Sequence, residues 1–355
     1  MDAGLESIIA AETILSDVDG LAGKLVIRGR SLDQLTQNNS FEDVLALLWA
    51  GFFDLDVSSA DLRIHLGKAR CEAFNRIKDL SCERAIEMLR IGLCLASDGD
   101  GLEEAIDLVA TIGVATGIAA RHARHQQPLP PNPDLCHAGD ILAMITGKKP
   151  SALQTKALDT YLVTVSDHGL NASTFAARVV ASTRAGLSSA AIAGLSALKG
   201  PLHGGAPGPV LDMLDAIGAP ENAQAWIEQA LLRGERLMGF GHRVYKTRDP
   251  RADALKRAIA QLPAAAGRLN YADAIEGVAR FALAHRYPTR RLETNVEFYT
   301  ALLLEALDIP REAFTCVFAC GRIAGWIAHA KEQIATNRLI RPMSVYVGGF
   351  DKVAA

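Results

Sequence analysis

Apolar residues recur at helical spacing through almost the whole chain, and strand-like runs are nearly absent. This periodicity constrains the fold more than any other feature, because a stripe repeating every 3–4 residues can be buried only by packing helices on one another. Positions 41, 44, 45 and 48 form one such stripe. Similar periods run through residues 85–95, 103–120, 153–165 and 223–232. Ser40 precedes the first of these with Asp43 three residues on, an acidic relative of the capping box that marks a helix start. Alanine is frequent throughout, which favours helix and permits close helix–helix contact. The one clear β run is Lys24-Leu-Val-Ile-Arg28, ended by Gly29. The expected fold class is therefore all-α, with a short N-terminal β element.

Composition removes several functional classes. With 49% hydrophobic and 22% charged residues over 355 positions, the chain has enough apolar surface to offset the entropy of ordering. A net charge of -3 lacks the basic excess of a dedicated nucleic-acid binder. The apolar stretch from Leu108 to Ala120 falls short of the ~20 residues a membrane span needs. The first residues show no basic region followed by an apolar run, so a cytoplasmic protein without a signal peptide is expected. The six cysteines form no Cys-x-x-Cys pair, and Cys316 and Cys320, on one helical face, lack the four ligands of a structural zinc site. Small buried thiols are expected, with no metal.

Punctuation divides the chain. Residues 126–133 are a proline-rich loop, and Gly200-Pro-Leu-His-Gly-Gly-Ala-Pro-Gly-Pro209 is too dense in Gly and Pro for a helix interior. The latter marks the passage into a second lobe, with a return near Ile309-Pro310. The expected division is a discontinuous large domain, residues 1–207 and 313–355, and a small domain, residues 208–312.

The residues that carry chemistry cluster around these glycines. His203 lies between glycines, where backbone can approach a ligand closely; a helix-capping histidine accounts for it about equally well. Met238-Gly-Phe-Gly-His242-Arg-Val-Tyr-Lys-Thr-Arg-Asp-Pro-Arg251 places a histidine and several cations beside a turn, the makings of an anion site or of a plain solvated basic loop. Glu297 opens an apolar helix; burial beside Phe298 and Tyr299 would raise its pKa into the range of a general base. Asp167-His168-Gly-Leu-Asn-Ala-Ser-Thr174 looks like a helix end and restart. Arg322 sits in an apolar segment, where its charge needs an anionic partner. Arg341 lies near the C-terminus. Arginine's planar fork suits carboxylates, so the set points to a small, multiply charged acid as ligand.

Those segments, in order, closely resemble the citrate synthase family, in its smaller bacterial and archaeal type. The matching residues are Gly-Pro-Leu-His203-Gly-Gly, Gly-Phe-Gly-His242-Arg-Val-Tyr-Lys, Asp249-Pro-Arg251, Asn295-Val-Glu297-Phe-Tyr, Gly321-Arg322, Gly325-Trp326-Ile-Ala-His329 and Ile340-Arg341-Pro342, and the likeness covers essentially the whole chain. The resemblance implies a two-lobed all-α homodimer that condenses oxaloacetate with an acyl-CoA, normally acetyl-CoA, and hydrolyses the thioester. It implies that His203 stabilises the enol of the thioester, that His242 polarises the oxaloacetate ketone, and that Glu297 removes the methyl proton. It implies that His168, Arg251, Arg322 and Arg341 bind oxaloacetate, Arg341 reaching across from a partner subunit. Leu237, Gly239, Gly241 and Lys246 resemble the coenzyme A contact region. No permanently bound cofactor, metal, nucleic acid or membrane is implied; the coenzyme A thioester is a co-substrate.

Two departures stand out. The family's usual Asn-Val-Asp reads Asn-Val-Glu297 here, one methylene longer at the base. Ala206-Pro-Gly-Pro209 replaces a more polar, acidic helix start. Two further readings stay open at this point: a 2-methylcitrate synthase using propionyl-CoA, since one methyl is worth only ~1–3 kcal/mol of discrimination, and a catalytically weak paralogue that binds oxaloacetate or coenzyme A.

Overall fold

The computed structural model describes residues 4–5, 8–53, 58–201, 203 and 207–348. It opens with a three-stranded antiparallel sheet, β1 (Ser16–Asp19), β2 (Lys24–Ile27) and β3 (Arg30–Ser31), in the order β1-β2-β3. β2 alternates: Leu25 and Ile27 are buried and Lys24 is exposed. The strand stops one residue before the expected Arg28, which adopts a positive φ of 48° and turns the chain. β1 was not visible in the sequence. It carries a single apolar residue among Ser, Asp and Asp, and it is a strand because its backbone pairs with β2, Asp17 opposite Val26.

Helices follow. α1 (Leu32–Asn38) and α2 (Phe41–Trp49) come first, and the Ser40–Asp43 capping box at α2 is complete in both directions. α3 (Ser59–Ile77), α4 (Ala85–Leu95), α5 (Leu102–Ala123), α6 (His137–Thr146) and α7 (Ala152–Val165) continue the bundle. α8 (Ala172–Ala181) and α9 (Leu187–Leu198) pack together as a pair. Next come α10 (Pro207–Ile217), α11 (Ala223–Leu232), α12 (Pro250–Ala260), α13 (Ala266–Arg286) and α14 (Val296–Ala306). α15 (Phe314–Thr336) closes the described helices and packs against α5, α7, α8 and α9. The Gly/Pro tract at 200–209 is therefore helical from Pro207 onward. Proline is tolerated in a first turn because the N–H it lacks has no intrahelical partner there.

By length and composition, the stretch 311–336 is apolar enough to cross a membrane, unlike the shorter run from Leu108 to Ala120. Its side chains are buried within the protein, so it serves as the central core helix.

Two glycines of α15 set the site's geometry. A Cβ at Gly321 would stand 2.8 Å from the Leu162 carbonyl oxygen, and one at Gly325 would stand 2.8 Å from Asp167 Oδ1. The absence of these side chains lets α15 lie directly on the C-terminal end of α7. Arg322, between them, is thereby brought under the turn that carries His168. α12 and α14 pack on α7 from the other side, and α10 packs on α14.

Candidate active site

The α7–α8 turn holds Asp167 and His168. Asn171 caps α8, its side chain accepting from Ser173 and Thr174 N–H groups, both at 3.1 Å, as the helix-end-and-restart reading expected. Asp167 is fully buried. It accepts from the Ser16 hydroxyl of β1 and lies 3.1 Å from His329 Nε2, whose Nδ1 lies 2.9 Å from Arg178. Burial alone would raise its pKa, but His329, the Ser16 hydroxyl and Arg322 outweigh this and hold it below the usual value. Ser16 Oγ also accepts from the Gly169 N–H at 2.9 Å, so the N-terminal sheet pins the turn on both sides of His168.

The His242 loop is clamped to the start of α14. Gly241 N–H donates to the Glu293 carbonyl at 2.7 Å, Asn295 N–H donates to the Gly239 carbonyl at 2.9 Å, and the Asn295 amide donates to the Gly241 carbonyl at 2.8 Å. Gly239 has a positive φ of 85°, and a Cβ there would sit 2.9 Å from the Phe298 side chain, so only glycine fits. Asp249, 1% exposed, ties the second half together. Its Oδ1 accepts from Arg251 N–H and Nε, both at 3.0 Å, and its Oδ2 accepts from Arg251 Nη2 at 2.8 Å and from the Val296 N–H at 3.1 Å. One carboxylate thus caps α12, neutralises Arg251 and fixes the N-terminus of α14, where Glu297 is the second helical residue.

The geometry at His242 contains an unmet demand. Its Nδ1 accepts the N–H groups of Val244 and Tyr245, both at 3.0 Å. The ring is neutral, because burial and the Arg251 charge depress its pKa to about 4. A neutral ring whose Nδ1 accepts must carry its proton on Nε2. That Nε2 lies 3.0 Å from Arg251 Nη2, another donor. Two N–H groups converge with no acceptor between them, an arrangement satisfied by a ligand oxygen lying beside both.

Around this point lie further buried or half-buried titratable groups. Arg322 is 2% exposed and donates from Nε to the Val165 carbonyl at 2.6 Å; burial lowers its pKa to about 10, with Arg251 adding to the fall and Asp167 opposing it. Among the described residues no carboxylate forms an ion pair with it; the field of buried Asp167 compensates its charge in part, and an anionic ligand would complete it. Burial and the fields of Arg251, Arg322 and His242 push the pKa of His168 far below its ordinary value. Glu297 is half-buried, and desolvation raises its carboxyl to about 7 against the opposing pull of Arg251 and Arg236.

His203 lies in the turn between α9 and α10, neutral, with its pKa lowered to about 4 by burial and by Arg322. Its own carbonyl accepts from one ring nitrogen, and Nε2 lies 2.9 Å from Ser173 Oγ, which also takes the Trp326 indole N–H at 3.1 Å. With the proton on Nδ1, Nε2 accepts from the Ser173 hydroxyl, and the chain Trp326–Ser173–His203 fixes the tautomer.

The structure thus brings His168, His242, Arg251, Arg322 and Glu297 into one electrostatically coupled group, joined to His203 through Arg322. Leu237 is buried, and Gly239 and Gly241 shape the loop beneath His242. Lys246 is exposed, its Nζ turned back on the Arg243 carbonyl at 2.9 Å. Arg341 is not brought to the cluster within one chain; it lies in an exposed extended tail after α15. Sequence reasoning missed Ser173 and Tyr245 as site residues, and Asp249 as the counter-charge of Arg251. Their signal was present only as positions within the quoted motifs. Among the described residues no group of three or more His, Cys, Asp or Glu is arranged to hold a metal ion.

Comparison with known proteins agrees with this geometry. The family model described as citrate synthase, C-terminal domain, matches residues 4–343. The chain belongs to the citrate synthase family. Members of this family are acyltransferases. A putative citrate synthase 2 of Mycobacterium tuberculosis is 37% identical over 353 residues, covering 97% of this chain and 92% of that protein. The citrate synthase of Haloferax volcanii is 35% identical over 367 residues, covering 98% of this chain and 96% of its own length. Among solved structures, the Thermotoga maritima citrate synthase superposes with a TM-score of 0.85 at 32% identity, over 100% of this chain and 98% of that one. The Thermoplasma acidophilum citrate synthase, solved in a ternary complex with carboxymethyl coenzyme A and oxaloacetate, gives 0.88 at 27% identity, with the same coverage.

Proposed function

We propose that this citrate synthase family member condenses oxaloacetate with acetyl-CoA and hydrolyses the resulting thioester to citrate and free coenzyme A. The observation that carries the proposal is the approach of two donors, His242 Nε2 and Arg251 Nη2, to 3.0 Å of each other, beside a buried Arg322 that forms no ion pair among the described residues. Two guanidiniums suit the two carboxylates of oxaloacetate, and a neutral N–H donor beside them suits its ketone.

In this reading Arg251 and Arg322 hold the dianion in attack geometry. His242 donates from Nε2 to the ketone as charge develops on that oxygen. Glu297, its carboxyl raised to about 7, removes the α-proton of the acetyl group, and the proton comes to rest on its carboxylate. His203, with its proton on Nδ1, turns that N–H from its own carbonyl to the thioester oxygen and stabilises the enol. The new carbon–carbon bond joins the acetyl methyl carbon to the ketone carbon, and water then cleaves the thioester to release the thiol. His168 completes the oxaloacetate side, and residues 237–246, including Lys246, face the coenzyme A. Residues 208–312 act as a small lobe against the large one, and their approach excludes water during condensation.

We also infer a homodimer in which the tail carrying Arg341 crosses to a partner. In support, Leu339, Met343 and Val347 on this extended tail are at least 59% exposed in the single chain. Mixing Arg341→Ala with Glu297→Gln chains should restore part of the activity that neither has alone; no recovery contradicts the crossing tail.

The donor is tested by following free thiol release with oxaloacetate and either acetyl-CoA or propionyl-CoA. A higher kcat/KM for acetyl-CoA supports citrate synthesis. A strong propionyl preference moves the protein to 2-methylcitrate synthesis, and no release with either leaves a binding paralogue.

A further inference from the structure

His329 bridges a buried cation and a buried anion behind the proposed oxaloacetate site, and the reaction as written gives it no part. It is fully buried on α15, one turn after Gly325 and two after Arg322, so the three share a helix face. That face lies on the C-terminal end of α7. Arg322 Nε donates to the Val165 carbonyl at 2.6 Å, and His329 Nε2 lies 3.1 Å from Asp167 Oδ1, next in the chain to His168. α15 therefore grips the α7–α8 turn at two points, and His168 follows the second.

The donors and acceptors around the ring leave one arrangement. Nδ1 lies 2.9 Å from Arg178 Nη1. A guanidinium offers only donors, so Nδ1 accepts. Glu332 Oε2, which pairs with Arg178, stands 3.9 Å from Nδ1, beyond hydrogen-bond reach. A ring that accepts at Nδ1 carries its proton on Nε2, and that N–H meets Asp167 Oδ1. The other Asp167 oxygen takes the Ser16 hydroxyl of β1. Glu332 Oε1 accepts the Ile14 N–H at 2.9 Å, two residues before Ser16. The chain Ser16–Asp167–His329–Arg178–Glu332 thus returns to the segment it left and closes a ring of hydrogen bonds beneath the turn. Asp167, His329 and Arg178 are each at most 1% exposed, so a partner removed from the middle of this chain is not replaced by bulk water.

We propose that His329 is a positioning residue for oxaloacetate: its Nε2–H holds the Asp167 carboxylate and so sets where His168 stands relative to Arg322. This role rests on the reading of the cleft as an oxaloacetate site, and it concerns what holds the ligand's partners, not what touches the ligand.

The test uses the full-length protein and two variants. His329→Gln keeps an amide N–H to meet Asp167 and an oxygen to meet Arg178, whereas His329→Leu keeps bulk and neither polar group. Calorimetry should show oxaloacetate binding weakened about tenfold in His329→Leu and largely recovered in His329→Gln, with kcat at saturation falling by less than KM rises. Unchanged binding in His329→Leu, or binding in His329→Gln no tighter than in His329→Leu, overturns the proposal, because the hydrogen bond then does not matter. Long-range ¹⁵N–¹H spectra of the unsubstituted protein, with the His329 ring identified by its absence from His329→Gln, give a readout that does not depend on His329→Leu folding. They should show Nε2–H and an unprotonated Nδ1; a proton on Nδ1 overturns the proposal. Absence of oxaloacetate binding by the unsubstituted protein defeats the oxaloacetate reading itself, while the His329 tautomer, which needs no ligand, is judged separately.

Discussion

Replacing Asp249 with Asn removes one charge and keeps nearly everything else. Asn caps a helix as well as Asp does, so the α12 cap is not lost. What changes is the partner of Arg251, which is 4% exposed and, among the described residues, forms its ion pair with Asp249. Asp249 accepts four hydrogen bonds, three of them from Arg251 and one from the Val296 N–H. Asn retains one oxygen and turns an NH2 toward the remaining donors. Breaking a buried ion pair in this way costs about 3–5 kcal/mol, because the surviving charge stays desolvated. With an unfolding entropy of about 2.1 cal/mol/K per residue, the 355-residue chain should lose ~4–7 °C in Tm. Circular dichroism melts with and without saturating oxaloacetate provide the assay. The bound dianion replaces the missing counter-charge, so the gap between the two proteins should narrow in its presence, and KM for oxaloacetate should change. A Tm within about 1 °C of the unsubstituted protein, with an unaltered KM, refutes the claim that Asp249 neutralises Arg251 and organises the site.

Other outcomes follow from the same geometry. In the free enzyme kcat/KM should rise with pH through about 7, as Glu297 ionises, while His203 and His242 stay neutral down to about 4; a flat profile between pH 6 and 8 contradicts the assignment of Glu297 as base. Because folding raises the Glu297 pKa from 4.5 to about 7, its ionisation destabilises the fold, and stability declines as pH rises across that window. Glu297→Gln should therefore be more stable than the unsubstituted protein at pH 8, by up to about 3 kcal/mol, and no more stable at pH 4; denaturant titration at both values checks this. Gly20→Ala should lower kcat about tenfold or more with little change in Tm, because its Cβ would overlap the Val244 carbonyl oxygen and displace the His242 loop; unchanged kinetics would show that the β1–β2 turn does not position that loop.

The helices were legible because their stripes are regular: α2, α4 and α11 begin and end where the apolar period does, and α7 within a residue. β1 was not, since a strand of Ser, Asp, Val and Asp has no pattern of its own and exists through its pairing with β2. Among the site residues, those flanked by glycine or placed in an apolar segment announced themselves: His203, His242, Arg322 and Glu297. The groups that hold them did not. Asp249 and Arg251 are two residues apart, and nothing in that spacing says that the carboxylate also takes the Val296 N–H, 47 positions away. Ser173 read as part of a helix start, and its link to His203 and Trp326 appears only when α8, α15 and the 200–203 turn are folded together. Arg341 was legible as a type of residue and not as a place, because one chain leaves it exposed.

The account's central claim is that Glu297, desolvated beside Arg251, is the base that starts condensation on bound oxaloacetate. Its most direct test is the rate of thiol release from acetyl-CoA in the presence of oxaloacetate, measured side by side for the unsubstituted protein and Glu297→Gln. The account predicts turnover by the first and a loss of about 10²–10⁴-fold in the second, with oxaloacetate binding retained in both. Near-equal rates in the two proteins contradict it.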